Sequence, residues 1–144
     1  MRVFLGTSFS SKVLPDGSVE PTFRKHIEKI IQAIESKGHT VYCGVREDNW
    51  QLNNVGPGRA FLNDADAIKT SDPVIMMVRH NPYSAGVQFE LGLAYALEKK
   101  IIILWQEDDL PIPYMNQGLM QAKNTSNYSY KTMSDIPALL ENLL

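Results

Sequence analysis

A chain of 144 residues is long enough to bury one core without disulfide or metal staples, which favours a single domain spanning 1–144. With 44% hydrophobic and 21% charged residues and a formal net charge of -2, it has the composition of an ordinary globular protein. It carries no surplus of positive charge for broad binding to nucleic acid or to an anionic membrane.

The opening Met1-Arg-Val-Phe-Leu-Gly is too short in apolar residues for a secretory signal, and no apolar run approaches a bilayer-spanning length. A cytoplasmic location is therefore expected. Val3-Phe-Leu5 reads as a short buried strand running into the loop Gly6–Ser11. Val13 to Pro21, with its Pro, Asp, Gly and Ser, is expected as a flexible surface excursion. A helix fits Pro21 to Lys37, because Phe23, Ile27, Ile30, Ile31 and Ile34 recur on one face. Proline suits its first turn and Gly38 the position just past its end. Thr40–Cys43 is the second strand. The single cysteine, Cys43, excludes an internal disulfide and a cysteine-built metal site, and its apolar neighbours mark it as a buried thiol.

Residues 44–58 contain Asn53-Asn54 and Gly56-Pro-Gly58 and read as a long loop. Ala60 to Ser71 forms a helix with Phe61, Ala65 and Ile68 on one side. The unbroken apolar run Pro73–Val78 is what a parallel strand covered on both faces requires. A loop follows over Arg79–Ala85, then a helix over Gly86–Lys99 and a fourth strand over Ile101–Trp105. Asp108–Gln121 is irregular or briefly helical, Tyr128–Tyr130 forms a last strand, and Ser134-Asp-Ile-Pro opens a helix to Leu144. Strand and helix alternate throughout, so the expected fold is α/β, a parallel sheet of about five strands with helices on both faces. Ligands of such sheets sit beyond the carboxyl ends of the strands. There Gly6–Ser11, Arg79–Gly86 and the loop after Cys43 would meet.

Chemistry concentrates in Ser84-Ala-Gly-Val-Gln-Phe-Glu90-Leu-Gly92. A glycine at a loop-to-helix junction lets a ligand approach the backbone, and the helix start offers free N–H groups and its positive dipole end to a phosphate. Ser84 adds a hydroxyl, although a serine or glycine there is equally an ordinary N-cap. Glu90 lies one turn further on. A carboxylate in a first turn is also ordinary dipole complementation, but its neighbours Val87, Phe89, Leu91, Leu93 and Ala94 leave little polar surface, so the helix reads as largely buried and the carboxylate as a candidate functional group. Gly92 implies close approach of another backbone or of a ligand.

Asp64 stands one turn from Ile68, at the inner edge of its helix, and is the partner for Glu90. Asp66 is solvated, and Asp72 anchors the entry to the third strand. Phe9 is a platform for stacking on a base or a core residue closing its loop. Ser8, Ser10 and Ser11 are hydrogen bonders or turn formers. Arg46 and Trp50 reach toward the ligand or simply pack. His26 and His39 read as surface residues, and His80, in a loop near the cleft, has no second ligand beside it for a metal.

In order and spacing these pieces resemble the nucleoside 2-deoxyribosyltransferase superfamily, and within it the nucleoside 5′-monophosphate N-glycosidases. The CMP and hydroxymethyl-CMP hydrolases of nucleoside-antibiotic pathways and the 2′-deoxynucleoside 5′-phosphate N-hydrolases are the nearest branches. The likeness runs from Val3-Phe-Leu-Gly6 with Phe9 through Glu35-Ser-Lys-Gly38, Thr40-Val-Tyr42 and Arg46-Glu47 with Trp50. It continues through Asp64-Ala-Asp66-Ala-Ile-Lys69 with Asp72 and ends in Ser84-Ala-Gly86 through Glu90-Leu-Gly92. It implies a flavodoxin-like or Rossmann-like sheet, a homodimer or larger assembly with sites near the interfaces, and neither metal nor organic cofactor.

The resemblance further implies Glu90 as the catalytic carboxylate and Asp64 as the acid that assists departure of the base. Gly6, Ser8, Phe9, Ser10, Arg46, Ser84 and Gly86 would surround the substrate, and Asn116 would complete a neighbouring subunit's phosphate site. The transferase branch has an aspartate at the position of Ser84, binding a free sugar hydroxyl. A serine beside helix N–H groups welcomes a phosphate that an aspartate would repel. Two departures concern the base: Ser10 stands where the antibiotic-pathway hydrolases have an arginine, and the Arg79–Tyr83 loop is more polar than its counterparts. The expected function is hydrolysis of the N-glycosidic bond of a small nucleotide, a pyrimidine such as CMP slightly favoured. Base exchange and a non-catalytic nucleotide sensor are the alternatives.

Overall fold

The apolar runs of the sequence assemble edge to edge into one parallel sheet. The computed structural model describes residues 1–144. The strands are β1 (Arg2–Thr7), β2 (Thr40–Tyr42), β3 (Val74–Val78), β4 (Ile101–Gln106) and β5 (Thr125–Tyr130). They pair in the order β2-β1-β3-β4-β5, every pair parallel, which is the flavodoxin-like order. The helices are α1 (Pro21–Glu35), α2 (Gly44–Glu47), α3 (Pro57–Thr70), α4 (Ala85–Ala96), α5 (Tyr114–Leu119) and α6 (Ile136–Leu143).

Side chains alternate across a strand, and that period of two divides the core. Val3, Leu5, Ile75, Met77, Ile102 and Leu104 point to the face covered by α1 and α6, where Ile27, Ile30, Ile34, Ile136 and Leu140 meet them. Phe4, Val74, Met76, Val78, Ile101 and Ile103 point to the other face, against Ile68 of α3 and Val87, Leu91 and Ala94 of α4. All five residues of β3 are buried, as its unbroken apolar run requires. The chain leaves β1 toward β2 on one side and reaches β3 on the other. The carboxyl ends of β1 and β3 therefore flank the switch point where ligands settle. No helix is long and apolar enough to cross a membrane.

Four expectations are corrected. The segment Val13–Pro21 is pinned rather than free, because Val13 bridges Val19, Ser18 bridges Gln51, and Val19 is buried in the core. Residues 44–58 are not wholly a loop: they contain α2 and the first turn of α3, which starts at Pro57 directly after Gly56 (φ 80°). Proline at the first helical position is preorganised for that start. β5 begins at Thr125, earlier than its aromatic end indicates, since an edge strand tolerates polar residues on its open side.

The fourth correction concerns α4. Only Val87, Leu91 and Ala94 are buried, while Phe89 is 69% and Tyr95 54% exposed. The helix is apolar all round but covered on one side only. Phe61 of α3 shares the cleft side of its helix with Ala65 and Ile68 but stands 53% exposed at the rim, edge-on to Phe89 with ring centroids 5.7 Å apart.

Candidate active site

Five elements, β1, β2, α2, α3 and α4, deliver the candidate groups to the switch point. On β1, the alternation that turns Phe4 toward α3 and α4 turns Gly6 the same way, and the missing side chain leaves a hole in that face. The Glu90 carboxyl occupies it: a Cβ on Gly6 would stand 3.0 Å from Glu90 Oε2 and 2.4 Å from Met76 Sδ. α4 carries Glu90 one turn in from its start. Asp64 reaches in from α3 beside Gly44 at the start of α2, where a Cβ would lie 2.9 Å from Asp64 Oδ1. The Tyr42 hydroxyl, at the carboxyl end of β2, donates to Asp64 Oδ1 at 2.8 Å. Asp64, Glu90, Gly86, Phe61, Ile68 and Phe89 line an open cleft of about 260 Å³ between α3 and α4.

Asp64 and Glu90 lie on the same cleft, close enough that each shifts the other's ionisation. Burial pushes Glu90 up to about 8, and the neighbouring Asp64 charge adds to the rise. Burial also raises Asp64, and Asp48 raises it further, while the hydrogen bond from Tyr42 and the nearness of Glu90 work the other way. Glu90 therefore keeps its proton near neutral pH, with the Asp64 carboxyl as its neighbour in the cleft. A retaining glycosidase keeps its two carboxyls roughly 5–5.5 Å apart. Here both carboxyls line one cleft, so a sugar bound in it lies against the pair. The arrangement offers one carboxylate and one acid in an apolar cleft, the components of nucleophilic or general-acid chemistry.

The phosphate end of the expected site is built more simply. Ser84 is the N-cap of α4, its Oγ accepting from the Val87 N–H at 3.2 Å. Its hydroxyl proton remains free to donate outward. A Cβ on Gly86 would meet only Ser84 Oγ, at 3.8 Å, so nothing within the chain demands glycine there. Gly92, for which a close neighbour is expected, has nothing within 4 Å.

Other candidates fall elsewhere. Phe9 is half-buried and packs on the core beneath α1 and α6, the face opposite Glu90. Ser8 lines a separate polar groove with Ser11, Lys12 and Arg79, and Ser10 is exposed in a 3-10 turn. The Arg46 guanidinium is engaged by Glu35 (2.9 Å), Glu47 (3.5 Å) and the Val41 carbonyl, tying α2 to α1 and β2. Trp50 is buried, with Arg24 over its ring at 5.0 Å. Asn116 is buried on α5, where it exchanges two amide hydrogen bonds with Gln88 of α4 (2.9 and 2.8 Å).

Asp72 anchors its junction, accepting from the Lys100 N–H at 3.2 Å, and Cys43 is buried, its thiol pushed up to about 12 by burial. The Arg79–Asn81 loop is tied to Asp109, which accepts from Arg79 Nε (2.7 Å) and from the N–H groups of His80 (2.9 Å) and Asn81 (3.1 Å). No three His, Cys, Asp or Glu side chains converge as a metal ion would need. Sequence reasoning missed Tyr42 and Gly44. The usable signal was the period of two: with Val41 in the core, Tyr42 must face α3 at the ligand end of its strand.

The strand order, the switch-point cleft and the half-buried carboxyls that line it define the class, a flavodoxin-like α/β protein. The family model described as nucleoside 2-deoxyribosyltransferase matches residues 17–135, and the chain belongs to that family. Its members transfer or hydrolyse glycosyl groups on nucleosides. Among solved structures, the CMP N-glycosidase BcmB of Clostridium botulinum is 28% identical with a TM-score of 0.76, and each chain covers 100% of the other. BlsM is 22% identical with a TM-score of 0.79, the match covering 96% of this chain and 86% of that one. A 2-deoxyribosyltransferase from the psychrotolerant bacterium Bacillus psychrosaccharolyticus is 20% identical with a TM-score of 0.65, covering 99% of this chain and 91% of that one. These last two likenesses speak for the fold alone. No curated protein matches the chain.

Proposed function

We propose that the chain hydrolyses the N-glycosidic bond of a nucleoside 5′-monophosphate, a pyrimidine nucleotide such as CMP before others. The products are free base and (deoxy)ribose 5-phosphate. The observation that carries the reading is the Glu90–Asp64 pair in an apolar cleft beside the start of α4. As substrate binds, the proton passes from Glu90 to Asp64. Glu90 attacks C1′ as the C1′–N bond breaks, and Asp64 gives its proton to the departing base. Water then attacks the glycosyl ester at C1′, its hydroxyl staying on the sugar and its proton returning to Asp64. The N-terminus of α4 and the Ser84 hydroxyl receive the 5′-phosphate. The 28% identity to a CMP N-glycosidase supports this reading.

Base exchange is the second reading, favoured by the family match itself. The two are separated by incubating the protein with ribo- and deoxyribonucleoside monophosphates and the corresponding nucleosides, with and without an acceptor base. Release of base from monophosphates alone, with no acceptor required, supports hydrolysis, and dependence on the acceptor overturns it. Ser84→Asp tests the phosphate seat. Aspartate is as good an N-cap, so the fold should hold, while the KM for monophosphates rises by about 100-fold through charge repulsion and that for nucleosides changes little. Equal effects on both would remove Ser84 from the phosphate seat.

Gly44 supplies a steric test. Gly44→Ala should cost about 10- to 100-fold in kcat, because a methyl 2.9 Å from Asp64 Oδ1 must displace the acid from its position. Gly58→Ala, where nothing lies within 4 Å, is the control. Unchanged kcat in Gly44→Ala would show that Asp64 need not be held there. The exposed Phe89 and Tyr95 of α4 with Tyr114 and Met115 of α5 support a homodimer or larger assembly formed through this side of the molecule. Service of Asn116 to a partner's phosphate site would first require its pair with Gln88 to open.

A further inference from the structure

We propose that Tyr42 is a positioning residue of this site, whose hydroxyl fixes the Asp64 carboxylate and thereby decides which carboxyl of the pair carries the proton. The inference rests on the glycosidase reading for its consequence in catalysis, but not for its test on the free protein. Tyr42 is held as a positioning group should be. Its ring stacks on Phe4 with centroids 5.6 Å apart and planes 18° from parallel, and the Arg2 guanidinium lies 5.8 Å from the ring centroid. Parallel pairing of β2 with β1 sets Tyr42 opposite Phe4, so sheet register and stacking fix the ring together. The hydroxyl then lies 2.8 Å from Asp64 Oδ1, and Gly44 leaves room for that oxygen.

Burial and the adjacent Asp64 charge hold the Tyr42 hydroxyl well above its ordinary range, so it remains a phenol and a donor at every working pH. A carboxylate that accepts from the Tyr42 hydroxyl is stabilised as the anion. Other charges face the group from neighbouring elements. Asp48 acts on both Asp64 and Tyr42 and Glu47 acts on Tyr42, while the Cys43 thiol stays neutral. Asp48 and Glu47 repel negative charge, and Arg2 sits at the Tyr42 ring. Tyr42 is thus the side chain that donates to Asp64 and favours its ionised form. It holds the proton on Glu90 until a sugar enters the cleft, and Asp64 becomes the acid only when the departing base needs one.

The test is a carboxyl carbon NMR titration of the full chain without substrate, comparing the unaltered protein with Tyr42→Phe, together with pH profiles of kcat/KM on CMP. The variant keeps the stacked ring and loses the donor. Its Asp64 titration should move up by about one to two pH units, and the acid limb of the kcat/KM profile should move up with it. Should that variant fold poorly, 3-fluorotyrosine at position 42 keeps ring and bond while strengthening the donor, and must move the Asp64 titration down. Titrations and profile that stay in place, with stability alone reduced, would make Tyr42 a packing residue and overturn the proposal. Absence of base release from every nucleotide by the unaltered protein would overturn the glycosidase reading, and the substrate-free titration would still decide the role of Tyr42.

Discussion

Glu90→Gln is expected to lower base release by roughly 10³-fold or more and at the same time to make the protein more stable above neutral pH. The loss follows from the loss of the nucleophile, since an amide cannot form the glycosyl ester. The gain follows from linkage. Glu90 titrates near 4.5 when unfolded and about 8 in the fold, so between those values the folded protein holds a proton that the unfolded chain has released. Its contribution to stability is fully present below the lower value and is lost as pH rises through the higher one. Glutamine has no proton to lose. Denaturant midpoints of the two proteins should therefore be similar at about pH 5, with the variant higher at about pH 8.5. A variant no more stable at the higher pH would mean that Glu90 is ionised in the fold, and its raised titration would be abandoned.

Asp64→Asn is expected to cost about 10²- to 10⁴-fold in kcat with a poor leaving base, the usual range for a positioned general acid. The size of the loss should depend on the base. A nucleotide whose base departs readily without a proton should lose much less, because the step that Asp64 assists is then easy. A loss independent of the leaving base would make Asp64 a support for Glu90 rather than an acid. The same substitution removes the Asp64 charge that helps to raise Glu90, so Glu90 should titrate at lower pH in the variant. Initial rates over a set of nucleotides, with base separated by chromatography, measure the first effect, and a carboxyl titration measures the second.

The residues that announce themselves locally were legible. The apolar run Pro73–Val78, the spacing of Phe23, Ile27, Ile30 and Ile34, the proline at 21 and Gly38 are statements about period and backbone, and they placed the central strand and first helix closely. Parallel order followed from alternation of strand and helix, and Glu90 and Asp64 were singled out as candidates from a carboxylate in an apolar helix and from resemblance. Tyr42, Gly44 and the open side of α4 were not found. Gly6 was named for ligand approach, whereas in the fold it houses the Glu90 carboxyl.

Period states which way a residue faces and is silent about what it meets there. α4 reads as buried from its own composition, but burial depends on how many neighbours the topology supplies, and α4 receives them on one side only. The carboxyl pair is the clearest case. Asp64 and Glu90 come from helices that meet only because both crossovers fall on one face of the sheet. They fit into one cleft only because Gly6 and Gly44 leave space for the two carboxyls, and Tyr42 of a third element reaches one of them. The sequence by itself named the two acids. Their closeness, and the burial that raises Glu90 to about 8, were set by the packing of segments far apart in the chain.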